Sequence, residues 1–168
     1  DLASAAGLSV AAFIEPARYD PATYLRDAEL RARAAALPWP ERCALAELLA
    51  GSLKRHVAYL AKGDASKRVA RPDGAMVPVL REGDGEAMAR GLASSRHFTA
   101  DLESLSIRFR LGNLAPAIVS RIDGKRSLDA IHADLSSTPG REAFDTAFAE
   151  LYAALNGVNV LLLSRPAS

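Results

Sequence analysis

Leu105-Ser106-Ile107-Arg108-Phe109-Arg110-Leu111 is the stretch on which the fold turns. Its apolar and polar residues alternate without a slip, and a period of two marks a strand with one face buried. Downstream the period changes. Residues 114–122 read as a helix that stops at Asp123-Gly124, and Ser127 is placed as the N-cap of a second helix over residues 128–135. Pro139-Gly140 separates this helix from a third. The third starts near Arg141, sets Phe144, Phe148, Leu151, Tyr152 and Leu155 on one face, and closes at Asn156-Gly157. Residues 158–163 then read as a last strand. Strand, three helices, strand is a winged-helix-like order, and no internal repeat is visible.

Upstream the signals are more mixed. Residues 2–7 read as the tail of a helix closed by Gly7, and residues 8–14 as a short strand ending at Glu15-Pro16. Asp20-Pro21 is a helix-start signal, with Asp as cap and Pro in the first turn, and the helix is expected to run to about Ala36 before Pro38-Trp39-Pro40 breaks it. Over residues 41–62 the apolar positions Leu45, Leu48, Leu49, Leu53, Val57 and Leu60 recur at spacings of three and four, which predicts one long amphipathic helix ended by Gly63. Residues 64–74 are polar and charged and close on the turn signal Pro72-Asp73-Gly74, so they read as a linker. A short apolar run at 76–80, a turn at 83–85 and a helix near 86–93 follow. The expected fold is mainly α with a few short strands (α+β). It consists of a helical region over 1–63, a linker with short elements over 64–100, and the winged-helix-like module over 101–168.

Composition agrees with that class. Of 168 residues 49% are hydrophobic but only 6% aromatic, so the apolar share rests on Ala and Leu, the strongest helix formers. Charge is even, 21 basic residues against 20 acidic, and it stays within one unit of neutral in each of the three segments. A nucleic-acid binder concentrates Lys and Arg to neutralise phosphates, and the expected recognition helix offers Arg141 beside Glu142, Asp145 and Glu150, so no nucleic-acid partner is expected. One cysteine, Cys43, leaves no internal disulfide and no multi-thiolate metal site; it reads as a packing residue. No apolar run approaches a membrane span and no signal-peptide pattern opens the chain, so a cytoplasmic protein is expected.

The chemical motifs are near misses. Val77–Leu80 followed by Glu82-Gly83-Asp84-Gly85 and a helix is how a dinucleotide or S-adenosylmethionine loop begins, but a third glycine would have to stand where Met88 does. Pro78 also removes a ladder donor that a central strand needs. His56, His97 and His132 have no partner at metal spacing, and no Ser-His-Asp order stands out, so neither a metal nor a catalytic residue is assigned. His56 has two readings, a proton shuttle beside a substrate channel or a partly buried histidine with one hydrogen-bond partner. The polar cluster Glu15-Pro16-Ala17-Arg18-Tyr19-Asp20-Pro21 is either a connector or part of a larger pocket.

That cluster belongs to a longer pattern. Ala6-Gly7-Leu8, Phe13 through Pro21, Tyr24-Leu25, Leu37-Pro38-Trp39 and Ala46-Glu47-Leu48-Leu49-Ala50-Gly51, with Lys54 and His56, resemble the region after the catalytic domain in a group of bacterial class I S-adenosylmethionine-dependent methyltransferases. The second stretch is Ile122-Asp123-Gly124-Lys125-Arg126-Ser127-Leu128-Asp129-Ala130-Ile131, with Phe144 and Leu155-Asn156-Gly157. It is similar to the C-terminal module of the same group, and in pattern to small winged-helix peptide-binding domains such as the pyrroloquinoline-quinone peptide chaperone. The resemblance implies a glycine-rich cofactor loop and an acidic ribose-binding residue. Neither is in this sequence, so both are expected in a methyltransferase domain ahead of Asp1. It therefore implies an accessory substrate-recognition or regulatory region that binds no S-adenosylmethionine itself, with a peptide or protein as a candidate substrate. Arg18, Tyr19, Asp20, Lys54 and His56 become the candidate substrate or domain-interface residues. The alternative is a stand-alone protein- or peptide-binding module.

Overall fold

A left-handed Gly7 (φ 67°) ends the short helix α1 (Leu2–Ala5) and turns the chain into strand β1 (Leu8–Phe13), as the sequence predicts. The computed structural model describes residues 2–51, 53–103, 105–135 and 139–166, and its contacts divide into two units, Asp1–Val69 and Ala70–Ser168. In the first unit the Asp20 carboxylate caps a turn, accepting from the Ala22 N–H at 3.0 Å, but the turn is a three-residue 3-10 turn, Pro21–Thr23. The helix expected from Pro21 onward starts only at α2 (Ala28–Ala35). There Asp27 supplies a second cap, accepting from Leu30 N–H at 2.9 Å.

The larger correction concerns residues 41–62. Helix α3 (Trp39–Ala50), with Pro40 in its first turn, stops at Gly51, whose φ of 63° places its N–H on Glu47 O at 3.0 Å. Ala58–Lys62 is strand β2, antiparallel to β1 from Leu8↔Lys62 to Phe13↔Ala58, with a bulge between Val10 and Ala12. The physical reason is backbone satisfaction: β1 needs a hydrogen-bonding partner, and a glycine cap frees the downstream chain to supply it. The leucine stripe is consequently not a buried face. Leu48 is 80% exposed, and Leu49, Val57 and Leu60 are exposed as well, while α3 buries Cys43 and Ala46.

The second unit runs β3 (Val77–Leu80), α4 (Gly85–Ser95), β4 (His97–Leu102), β5 (Leu105–Arg110), α5 (Ala115–Val119), α6 (Leu128–Ala133), α7 (Arg141–Gly157) and β6 (Leu161–Ser164). Two antiparallel pairs result, β4 with β5 and β3 with β6. Pro78 is tolerated because β3 has a single neighbour and its prolyl nitrogen needs no ladder acceptor on the open side. Ser127 caps α6 as read from sequence, accepting from Ala130 N–H at 3.2 Å. The core gathers from all four helices: Leu92, Ile118, Ile131, Phe144, Phe148, Leu151 and Leu155 are buried with Leu161 of β6. Each such side chain contributes about 1.5–3 kcal/mol by leaving water. The class is α+β with short antiparallel strands, and no helix among the described residues is long and apolar enough to cross a membrane.

Candidate functional site

Tyr19 and His56, 37 positions apart, meet in the first unit: the Tyr19 hydroxyl lies 3.1 Å from His56 Nδ1. The encounter depends on local geometry at both ends. Glu15 adopts a left-handed conformation (φ 59°) ahead of Pro16, which throws Pro16–Tyr19 into a 3-10 turn and sends Tyr19 inward. His56 comes from the segment between α3 and β2, and is placed there because α3 ended at Gly51. The Tyr19 ring stacks on Phe13 with centroids 4.0 Å apart and planes 15° apart, and Phe13 stacks in turn on Trp39 at 5.5 Å. Burial raises the Tyr19 pKa above its ordinary value, opposed by the Arg18 guanidinium, so the phenol keeps its proton at neutral pH. It shares a hydrogen bond with Nδ1, and Nε2 on the far side of the imidazole lies 3.4 Å from Glu47 Oε1.

Carboxylate, imidazole and buried phenol form a chain from the surface to the aromatic stack. Both ring nitrogens of His56 are engaged, so a proton shuttle to an outside group would first have to break one contact. As it stands the chain pins the 3-10 turn, α3 and the segment ahead of β2 together. Arg18 reaches Glu15 at 3.1 Å, and Arg18 O accepts from the Tyr24 hydroxyl at 3.0 Å. Asp20 serves as the turn cap already described, and Lys54 is exposed, with no ion pair or hydrogen bond among the described residues. Of the five sequence candidates the structure thus joins Tyr19 to His56 and gives Arg18 and Asp20 local roles. Phe13, Trp39 and Glu47 complete the cluster and were missed; the lone tryptophan between two prolines was the available signal. Cys43 is buried, and burial raises its thiol pKa, as suits a packing residue.

No protein-family model matches the chain, and no curated protein sequence matches it. The other motifs find structural explanations. Gly83 has a φ of 92°, and a Cβ on Gly85 would lie 2.6 Å from Val119 O, so this glycine lets α4 approach the backbone at the end of α5. The Asp84 carboxylate accepts from the Glu86 N–H at 3.0 Å, so an acid of the turn itself occupies the first free amide of α4. His132 Nε2 lies 2.8 Å from Pro139 O with its ring against Phe144. Among the described residues no group of three or more His, Cys, Asp or Glu could hold a metal ion.

Proposed function

We propose that the chain is an accessory, substrate-recognition or regulatory region of a class I S-adenosylmethionine-dependent methyltransferase, without methyl transfer of its own. The carrying observation is where apolar side chains stay uncovered. Every exposed large hydrophobic residue among those described lies between Leu30 and Val69, in the first unit, and the second unit has none. Uncovered apolar side chains gathered on one unit are what a covering protein surface removes from water. The same unit holds the residues that resemble the methyltransferase connector. In this reading the catalytic domain packs on the first unit, and the Tyr19–His56–Glu47 chain keeps the connector rigid so that an acceptor is held over the cofactor pocket, a proximity effect.

Residues 101–168 of the second unit are then the winged-helix-like module. Its third helix is poorly suited to DNA: Asp129 and Asp145 already hold Arg141, and Glu142 and Glu150 share the helix. A peptide or protein acceptor suits it better. Calorimetric titration of the chain with S-adenosylmethionine is expected to give no saturable heat, and micromolar binding overturns the proposal. A methyltransferase domain from the same reading frame is expected to bind the chain, more weakly after Leu48→Ser and Leu60→Ser. Absence of any such domain leaves the stand-alone protein-binding module as the reading.

A further inference from the structure

Arg108 and Arg110 stand two residues apart on the exposed face of β5, and the ladder sets Arg110 opposite His97 and Arg108 opposite Thr99. The next rung is Asp101 with Ser106. Same-face neighbours on a strand lie about 6.8 Å apart and cross-strand partners about 5 Å. The face is therefore a compact strip of two cationic rungs followed by one acidic rung. Elsewhere in this unit Arg81, Arg90, Arg121, Arg126 and Arg141 each meet a carboxylate, and Arg96 donates to the Asn113 side-chain oxygen. Arg71 and Arg165 are in no ion pair among the described residues, but Arg108 and Arg110 differ from them in standing side by side on one strand face. Among the described residues no ion pair includes Arg108, Arg110 or Asp101. His97 Nδ1 is held by Ser95 O at 2.6 Å, which leaves Nε2 for a partner.

We infer that the outward face of the β4–β5 hairpin docks an extended acidic segment of a partner protein. Carboxylates at positions i and i+2 sit against the Arg110–His97 and Arg108–Thr99 rungs, and a basic residue at i+4 sits against Asp101. The spacing carries the choice of occupant, because acidic side chains two apart in an extended peptide repeat at the same interval of about 6.8 Å. Charge order carries the polarity, since a third acid would meet Asp101. Nucleic acid fits less well: the strip has no Phe, Tyr or Trp on which successive bases could stack, and its row of positive charge is interrupted by Asp101. A lipid surface fits less well too, because among the described residues this unit exposes no large hydrophobic side chain. The inference stands whether or not a methyltransferase domain packs on the first unit.

The test uses the whole chain and two fluorescent peptides, Thr-Glu-Thr-Glu-Thr-Lys-Thr and its charge-reversed counterpart Thr-Lys-Thr-Lys-Thr-Glu-Thr, followed by anisotropy at low salt. The first is expected to bind weakly but about tenfold tighter than the second, consistent with two exposed charge pairs, and to be released near 0.5 M salt, roughly five times the ionic strength at which the screening length is ~10 Å. The double variant Arg108→Glu/Arg110→Glu is expected to invert the preference, a gain that an unfolded protein cannot show. Equal binding of the two peptides, no binding of either, an unchanged preference in the variant, or stronger binding of a seven-nucleotide single strand each overturns the inference. None of these results bears on the S-adenosylmethionine titration.

Discussion

Gly85→Ala and Gly91→Ala add the same methyl group to the same helix, α4, and are expected to move stability in opposite directions. At Gly85 an ideal Cβ lies 2.6 Å from Val119 O and 3.2 Å from Ile122 O, both backbone atoms that cannot swing aside. Relief requires moving α4 away from the backbone that runs from α5 toward Asp123, and overpacking of this kind costs about 1–3 kcal/mol. At Gly91 the helix is exposed and no atom lies within 4 Å of the added Cβ. There the substitution replaces the most flexible residue by the best helix former and contributes about 0.5–1 kcal/mol. For a unit of this size each kcal/mol moves Tm by roughly 4–8 °C. Urea and thermal unfolding followed by far-UV circular dichroism give the two shifts. Emission from Trp39, the chain's single tryptophan, reports on the unit that neither substitution touches. A Gly85→Ala midpoint equal to the wild type, or shifts of the same sign for both variants, refutes the packing account of the Gly83-Asp84-Gly85 turn and reopens it as a ligand loop.

Leu48→Ser is expected to change stability by no more than about 0.5 kcal/mol, because the side chain is 80% exposed; a loss of the ~2–5 kcal/mol typical of a truncated core leucine would restore the continuous buried stripe. Tyr19→Phe removes the hydroxyl on His56 and should cost about 0.5–1.5 kcal/mol at neutral pH. Since burial raises the folded pKa of Tyr19, its contribution is whole below the unfolded value of about 10 and is lost as pH rises through the folded value. The Phe variant lacks that loss, so its deficit should shrink in alkaline urea titrations, and a constant deficit would contradict the assignment. Asp123 accepts from the backbone N–H groups of Arg126 and Lys125, both at 2.9 Å, and the Arg126 bond leads in holding its carboxyl below the ordinary range. Asp123→Ala should cost about 1 kcal/mol at pH 7. That contribution is present above the unfolded pKa of about 3.9 and lost as pH falls through the lower folded value, so melts of the two proteins should converge toward pH 2.

How much of this was legible from sequence follows the range of the interactions. In the stretch from Leu105 to Gly157 the strand and the three helices were read in order because their signals are local: a strict alternation, Ser127 three residues before the N–H it caps, and a one-sided apolar face on α7. The first of those helices, expected over 114–122, spans only Ala115–Val119. The reading failed where two local signals competed. Residues 41–62 carry a helical spacing of leucines and, within it, a glycine that accepts a left-handed conformation without strain. Spacing alone favoured continuation, whereas the outcome was decided by β1, nearly fifty residues earlier in the chain, whose backbone needed a partner. Strand β4 was missed for a related reason. His97-Phe98-Thr99-Ala100-Asp101-Leu102 alternates only weakly, and its register is set by pairing with β5.

The same distinction governs the two features with functional content. Tyr19 and His56 were both singled out from sequence, yet their relation was not, because it requires the Gly51 break that brings residue 56 back toward the 3-10 turn. The cationic strip was invisible to any count of charge along the chain. Residues 64–100 and 101–168 are each within one unit of neutral, and the strip draws His97 from one and Arg108 and Arg110 from the other. Antiparallel pairing turns a separation of 13 residues into direct opposition, and a charge pattern too dilute to notice in one dimension becomes an ordered row in two. Even segmental charge therefore does not exclude recognition of a short acidic segment, which needs only two rungs.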